Sequence, residues 1–230
     1  NYAKLAYELS FDPFDEAIKA FNEYLKDYPN SKHKEEVYRY LVKVYQSTKN
    51  YPAALESLEK IKNWDPDLQA VYERISYFRG VDLFNNGKLD LAINYFDNSL
   101  KYDYDQKLHL LAYFWKSEAL YREKKYDDAI EAYKLFMVQP QAFSTPQYNQ
   151  SEYGIGYAYF EQKNYDYSNT YFRKYADAET MDKKRLSDAL NRIGDGYFIQ
   201  QQYADCIPYY DKNIQLNTYD MDYAAYQKAI

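Results

Sequence analysis

The sequence predicts an all-α fold, a solenoid of about six helix-turn-helix repeats, and three observations carry that expectation. The first is a triplet in which an aromatic or leucine precedes a small residue by three positions and a large apolar residue follows four later. It occurs as Phe14, Ala17, Phe21; Tyr51, Ala54, Leu58; Leu89, Ala92, Phe96; Tyr126, Ala129, Tyr133; Tyr165, Ser168, Phe172; and Tyr203, Cys206, Tyr210. The second is its spacing: the small positions lie 37, 38, 37, 39 and 38 residues apart, a near-fixed period that marks an array rather than one globular core. The third is a further amphipathic stretch upstream of each triplet, such as Val37 to Gln46 and Ser151 to Phe160, with apolar residues at helical spacing.

Spacings of three and four put each triplet on one helical face. The small residue lets a neighbouring helix approach closely. Polar turns separate the paired helices, as in Ser47-Thr48-Lys49-Asn50, Asn85-Asn86-Gly87-Lys88 and Glu161-Gln162-Lys163-Asn164, where Asn and Gly are expected to take the left-handed helix-ending conformation. In order, the repeats are expected over 1–31, 32–67, 68–104, 105–138, 148–180 and 181–219, with 220–230 opening a further helix and the whole forming one unit cut from a longer array. Phe11-Asp12-Pro13 reads as an insertion in the first repeat. Trp64-Asp65-Pro66-Asp67 is expected to end the second helix of repeat two, and Gln139 to Gln147 to form the longest ordered loop. Pro208 falls inside the last second helix, where it is expected to bend that helix or shift its start.

These features resemble the tetratricopeptide repeat. The residues that carry the likeness are Tyr38, Leu41 and Tyr45 before Ala54; Ile155, Gly156 and Tyr159 before Ser168; and Ile193, Gly194 and Tyr197 before Cys206, with Pro29 and Pro66 at the family's terminal proline. Repeat three departs from the pattern by placing Arg79 in the leucine slot while keeping Gly80. The resemblance implies a right-handed superhelical α-solenoid whose first helices line a concave groove. It also implies that the groove holds a peptide or segment of another protein. Carried over position by position, the groove set is Arg39, Tyr40 and Lys43; Tyr77 and Phe84; Phe114, Glu118, Tyr121 and Arg122; Tyr153, Tyr157 and Phe160; and Asn191, Arg192, Asp195 and Phe198. The Lys/Asn/Arg clamp by which chaperone-binding members grip a terminal carboxylate is not reproduced at the corresponding positions. Ala17 to Ser31 is most similar to repeats of bacterial envelope assembly factors, such as outer-membrane assembly lipoproteins and the Tol-Pal coordinator. By that analogy the chain leans toward the bacterial periplasm.

Composition narrows the function. A formal net charge of −6 with interspersed charges lacks the basic footprint of a nucleic-acid binder. No apolar run reaches the ~18 residues that span a bilayer. His33 and His109 stand far apart with no metal-ligand spacing. The glycine pairs Gly154/Gly156 and Gly194/Gly196 lack the third glycine of a nucleotide loop and sit at packing positions mid-helix. Asp103-Tyr104-Asp105 starts like a calcium loop but meets no glycine at the sixth position. No catalytic, metal or cofactor site is assigned. Tyrosine stands out at 32 of 230 residues, and most are expected to pack between helices, since a buried ring keeps a hydroxyl for a partner or water. The expected function is a non-catalytic protein-interaction scaffold, with self-association into a homo-oligomer as the alternative.

Overall fold

The structure, a computed structural model, describes residues 13–178 and 182–230, so the first helix expected before Pro13, Phe11 and Asp12 of the expected insertion, and the end of repeat five near Thr180 lie outside the described residues. Those residues form twelve α-helices and one 3-10 turn, with no strand among them. The helices are α1 (Pro13–Asp27), α2 (Lys34–Ser47), α3 (Tyr51–Glu59), α4 (Pro66–Asn85), α5 (Leu89–Ser99), α6 (Gln106–Arg122), α7 (Tyr126–Met137), α8 (Pro146–Glu161), α9 (Tyr165–Asp177), α10 (Lys183–Ile199), α11 (Tyr203–Leu216) and α12 (Met221–Ala229). The chain divides into two compact units, Asn1–Ala112 and Tyr113–Ile230, parted within α6.

Inside each unit, consecutive helices pack as a stack of hairpins: α1 on α2, α2 on α3, α3 on α4 and α4 on α5 in the first, and α7 on α8 through to α12 in the second. Apolar burial is correspondingly distributed in small local clusters. Val42, Ala54, Leu58, Leu68 and Ile75 form one in the first unit, and Phe172, Tyr175, Ala189 and Ile193 form one in the second. This is the pattern expected when each repeat buries its face only against its neighbours.

Close helix contacts occur where the first helix carries glycine. A Cβ on Gly80 would lie 2.7 Å from the Phe96 ring, one on Gly156 2.9 Å from Phe172, and one on Gly194 2.5 Å from Tyr210. Each partner is the large residue of the same repeat's triplet, sixteen positions later. Gly154 does the same between repeats, its Cβ position lying 2.5 Å from Tyr133 of the preceding hairpin. Ala17, Ala54, Ala92, Ala129, Ser168 and Cys206, the triplet small residues, are all buried.

Every described hairpin turns in one way. Lys49, Gly87, Lys124, Lys163 and Gln201 take positive φ of 57°, 72°, 61°, 60° and 62°. The following amide donates back to the carbonyl five residues earlier: Asn50 to Tyr45, Lys88 to Leu83, Lys125 to Leu120, Asn164 to Tyr159 and Gln202 to Tyr197, at 2.8–3.0 Å. This is a Schellman closure that satisfies end-of-helix carbonyls. Glycine fills the left-handed site once, as expected, but asparagine does not fill it. Asn50 and Asn164 instead stand one position later, where Asn50 Oδ1 accepts from the Ala53 amide and caps α3.

Two boundaries and one connector differ from the sequence expectation, and of the two outcomes expected of Pro208 the shifted start is not seen. Pro66 opens α4, with Asp65 as its N-cap accepting from the Leu68 amide at 2.9 Å. Proline at that position loses no helical bond, so it marks a start and not the end of α3, which already stops at Glu59. Pro146 likewise opens α8 two residues before the expected boundary. The Gln139–Gln147 connector folds a 3-10 turn, Ala142–Ser144, that buries Ala142. Finally, α11 starts at Tyr203, in register with Tyr165 and Tyr126, and runs through Pro208, so its start is not shifted.

Gly194→Ala is expected to lower the unfolding free energy by about 1–3 kcal/mol through overpacking against Tyr210. Gly87→Ala, with nothing within 4 Å of its Cβ position, should cost about 1 kcal/mol from left-handed strain alone. Urea unfolding monitored by circular dichroism separates these from Lys124→Gly, which removes the same strain and should raise stability by about 0.5–1 kcal/mol.

Candidate functional site

The residues expected to line a groove fall into two groups, one in each unit. In the first unit, Tyr77 and Phe84 are buried, the Tyr77 ring lying 6.2 Å from that of Phe96, so both rings belong to the core. Arg39 ties its own helix to the next: its guanidinium donates to Asp65 Oδ2 at 2.7 Å and to the Asn63 carbonyl at 3.5 Å. The Leu68 amide and then Arg39 hold the Asp65 carboxyl below its usual range. Tyr40 stacks on Phe21 at 5.6 Å, and the exposed Lys43 ammonium stands 6.0 Å from the Tyr40 ring.

In the second unit the same positions converge. Phe114 is buried against Tyr133 and Phe136. Next to it, Glu118, Tyr121, Arg122, Tyr153 and Tyr157 line a cleft of about 200 Å³, together with Arg185. Tyr121 meets Tyr157 edge-on at 6.5 Å, and Tyr153 meets Tyr157 edge-on at 5.0 Å. The phenols of Tyr153 and Tyr157 both donate to Asp188 Oδ2, the former at 2.7 Å. Arg192 continues the chain of contacts, with Nε 3.7 Å from Asp188 and a terminal nitrogen 3.0 Å from Asp195, while its guanidinium lies 5.7 Å from the Phe160 ring centroid. Asn191 is buried and accepts from Asn213. Phe198 packs edge-on to Tyr203 at 5.4 Å.

Two carboxylates anchor this face to the core. Tyr133 donates to Glu118 Oε1 at 2.6 Å and Tyr210 donates to Asp195 Oδ1 at 2.8 Å. Both tyrosines occupy the large slot of the triplet, and both acids lie fifteen residues before them. In the repeats whose large slot holds Phe96 or Phe172, the corresponding positions are Val81 and Tyr157. A buried phenol needs an acceptor and a phenyl does not, which accounts for the pairing.

Burial pushes the Glu118 carboxyl above its usual range, with the Tyr133 hydrogen bond, Arg122 and Arg185 opposing. Burial also raises Asp195 against the pull of Arg192 and the two phenols of Tyr210 and Tyr223. Burial works against the Arg192 cation, yet Asp195 together with Tyr157, Asp188 and Tyr223 outweighs it and the net shift is upward. Tyr121 is pushed up to about 12 by burial and then by Glu161, and burial followed by Asp188 raises Tyr153 and Tyr157. The tyrosines are therefore neutral, and the Tyr153 and Tyr157 hydroxyls are committed to Asp188, with rings left to form the walls. Such a surface offers shape, aromatic area and fixed charges of both signs.

Sequence reasoning missed Asp188, Arg185 and Tyr223, whose phenol donates to Asp195 at 2.9 Å. Arg185, Asp188, Arg192 and Asp195 alternate in charge at helical spacing along α10, and that alternation was a readable signal. Outside this face, His33 is exposed beside Glu36 at 3.3 Å and His109 Nδ1 lies 3.0 Å from the Tyr102 carbonyl. No group of three or more His, Cys, Asp or Glu residues arranged to hold a metal occurs among the described residues, nor does a helix long and apolar enough to cross a membrane.

Comparison with known proteins bears on the repeat itself. One tetratricopeptide repeat family profile matches residues 79–136 and another matches 1–31 and 150–178. The chain carries tetratricopeptide repeats. No curated protein sequence matches it. Among solved structures, BtubC from P. vanneervenii is similar at 14% identity and a TM-score of 0.57, over 89% of each chain. MamA from Desulfovibrio magneticus RS-1 is similar at 19% and 0.53, over 80% of this chain and 94% of its own. A signal transduction ATPase with a tetratricopeptide repeat sensor from Pyrococcus horikoshii reaches 17% and 0.59, over 98% of this chain but 36% of its own. At these identities the likeness is one of fold.

A pH series tests the electrostatics of the cleft. A carboxyl whose pKa is higher folded than unfolded favours folding when protonated, and that contribution is lost as pH rises through the folded value. Glu118→Gln, which keeps an acceptor for Tyr133, is therefore expected to gain stability over the parent at pH 7–8, with the gain shrinking toward pH 4. Urea midpoints at the two pH values check the sign.

Proposed function

We propose that the protein is a non-catalytic interaction scaffold, and that the cleft walled by α6, α8 and α10 in the second unit seats an extended segment or helix of a partner protein. The observation that carries this reading is the convergence there of three half-buried tyrosine rings, Tyr121, Tyr153 and Tyr157, with Arg122, Arg185 and Glu118. Aromatic side chains and arginine dominate binding energy at protein interfaces. Neutral phenols pinned by Asp188 hold their rings in place before a partner arrives, which lowers the ordering cost of association. Tetratricopeptide repeats are generally interaction modules, which supports the class of function. Arg39, Tyr40 and Lys43 remain accessible on the first unit and form a secondary contact area in this proposal. The similarity of Ala17 to Ser31 to envelope-assembly repeats supports placing the partner in a bacterial cell envelope.

Self-association is the second reading. It is favoured by the apolar residues that α12 and its neighbours expose, Tyr219, Met221, Tyr226 and Ile230. Light scattering across a concentration series distinguishes the two, because a strict monomer removes the oligomer.

Tyr157→Ala is expected to reduce capture of the native partner at least tenfold in pulldown from the source cells, with helicity unchanged by circular dichroism. Undiminished capture by a folded variant overturns the cleft assignment.

A further inference from the structure

A second cleft, sharing none of its lining residues with the first, lies between α9, α10 and α11 and has a volume of about 520 Å³. Leu186, Leu190 and Leu216 supply apolar wall, and Arg173, Tyr209 and Lys212 supply its cationic and aromatic side, with Asp177 the one acid among the described lining residues. The volume is of the size that accepts several side chains of a ligand.

The cationic side is one copy of a motif that occurs twice among the described residues. In this copy Arg173 donates to the Tyr197 phenol at 2.9 Å, Tyr197 stacks on Tyr209 at 5.8 Å with 26° between planes, and Lys212 stands 5.5 Å from the Tyr209 ring centroid. One repeat earlier, Lys134 lies 3.4 Å from the Tyr159 phenol, Tyr159 stacks on Tyr171 at 5.8 Å and 26°, and Lys174 stands 4.5 Å from the Tyr171 ring centroid. Cation, tyrosine, tyrosine, cation is thus repeated in geometry as well as in sequence. The first cation of the motif sits five positions after the triplet's small residue. Across repeats two to six that position reads Glu59, Asp97, Lys134, Arg173, Asp211, so among these the chain turns basic there only in the two repeats that immediately precede a stacked pair. A chain of net charge −6 thus places two cations beside a leucine wall in one cleft.

We propose that this cleft is a second binding site that takes an acidic, leucine-bearing amphipathic segment of a partner protein. The leucines of the segment enter between Leu186, Leu190 and Leu216, and its carboxylates meet Arg173 and Lys212, where charge-assisted hydrogen bonds form. The stacked tyrosines hold both cations near the rim, Arg173 by its hydrogen bond to the Tyr197 phenol and Lys212 by cation–π contact with Tyr209. The site stands independently of the cleft at Tyr157, and either assignment survives failure of the other.

The test is fluorescence anisotropy with two labelled synthetic helices of one amphipathic pattern, one of glutamate and leucine, the other of lysine and leucine. The acidic helix is expected to bind saturably and more tightly than the basic one, against the sign of the net charge. Arg173→Gln combined with Lys212→Glu is expected to weaken it by about tenfold or more. Lys212→Glu alone, at an exposed position that leaves the fold intact, should weaken it measurably, and Tyr157→Ala should not change it. The proposal is overturned if the acidic helix fails to saturate, if the basic helix binds as well or better, or if folded Lys212→Glu binds the acidic helix as tightly as the parent.

Discussion

Each hairpin depends on a large side chain of the second helix landing where the first helix has little or nothing on its surface. The partners share a sixteen-residue offset, Val42 with Leu58, Gly80 with Phe96, Ser117 with Tyr133, Gly156 with Phe172 and Gly194 with Tyr210. Size is traded across the pair: the bulkiest first-helix residue, Val42, stands opposite the smallest second-helix one, Leu58, and glycine or serine stands opposite a ring. Interiors packed near crystal density tolerate little change at such contacts. Phe96, Tyr133, Phe172 and Tyr210 are accordingly fully buried.

The choice between phenylalanine and tyrosine in that slot then shapes the face of the first helices. A buried phenol must find an acceptor, and Tyr133 and Tyr210 find Glu118 and Asp195, each immediately after the small residue of the pair. The candidate binding face is thus held from behind by the same rings that set the hairpin spacing. Neighbouring repeats are joined by polar bolts of equivalent placement: Gln162 to Asp127 at 2.7 Å and Gln200 to Asp166 at 2.8 Å. The loops leading into the next first helix are fastened as well. Glu73 accepts the amides of Tyr104 and Asp105, and Ser187 donates to the Tyr219 carbonyl.

Helix number and pairing were legible because the three-and-four spacing and its fixed period are properties of the chain alone. Turn chemistry was only half legible. The left-handed residue is lysine or glutamine in four of the five described turns, since the closing hydrogen bonds of the Schellman motif fix the backbone whatever the side chain. Pro66 and Pro146 misled because proline stops one helix and starts another equally well, and only the position of the cap decides which. The groove residues were harder to read. Tyr77, Phe84 and Phe114 share their helical positions with exposed or half-buried residues in other repeats, so spacing alone does not separate a ring in the core from one on the surface. Asp188 lay one turn outside the positions transferred by resemblance, and its importance arises from two phenols on α8 that sequence does not place beside it.

The most direct test of this account is a double-mutant cycle at one interlocked pair, Gly156→Ala and Phe172→Leu, read as unfolding free energies in urea. If close packing of ring on glycine sets the hairpin spacing, the smaller leucine makes room for the added methyl, and the double variant should be more stable than the summed single losses by about 1 kcal/mol or more. Additivity within about 0.3–0.5 kcal/mol would show that the two positions do not interlock and would contradict the account.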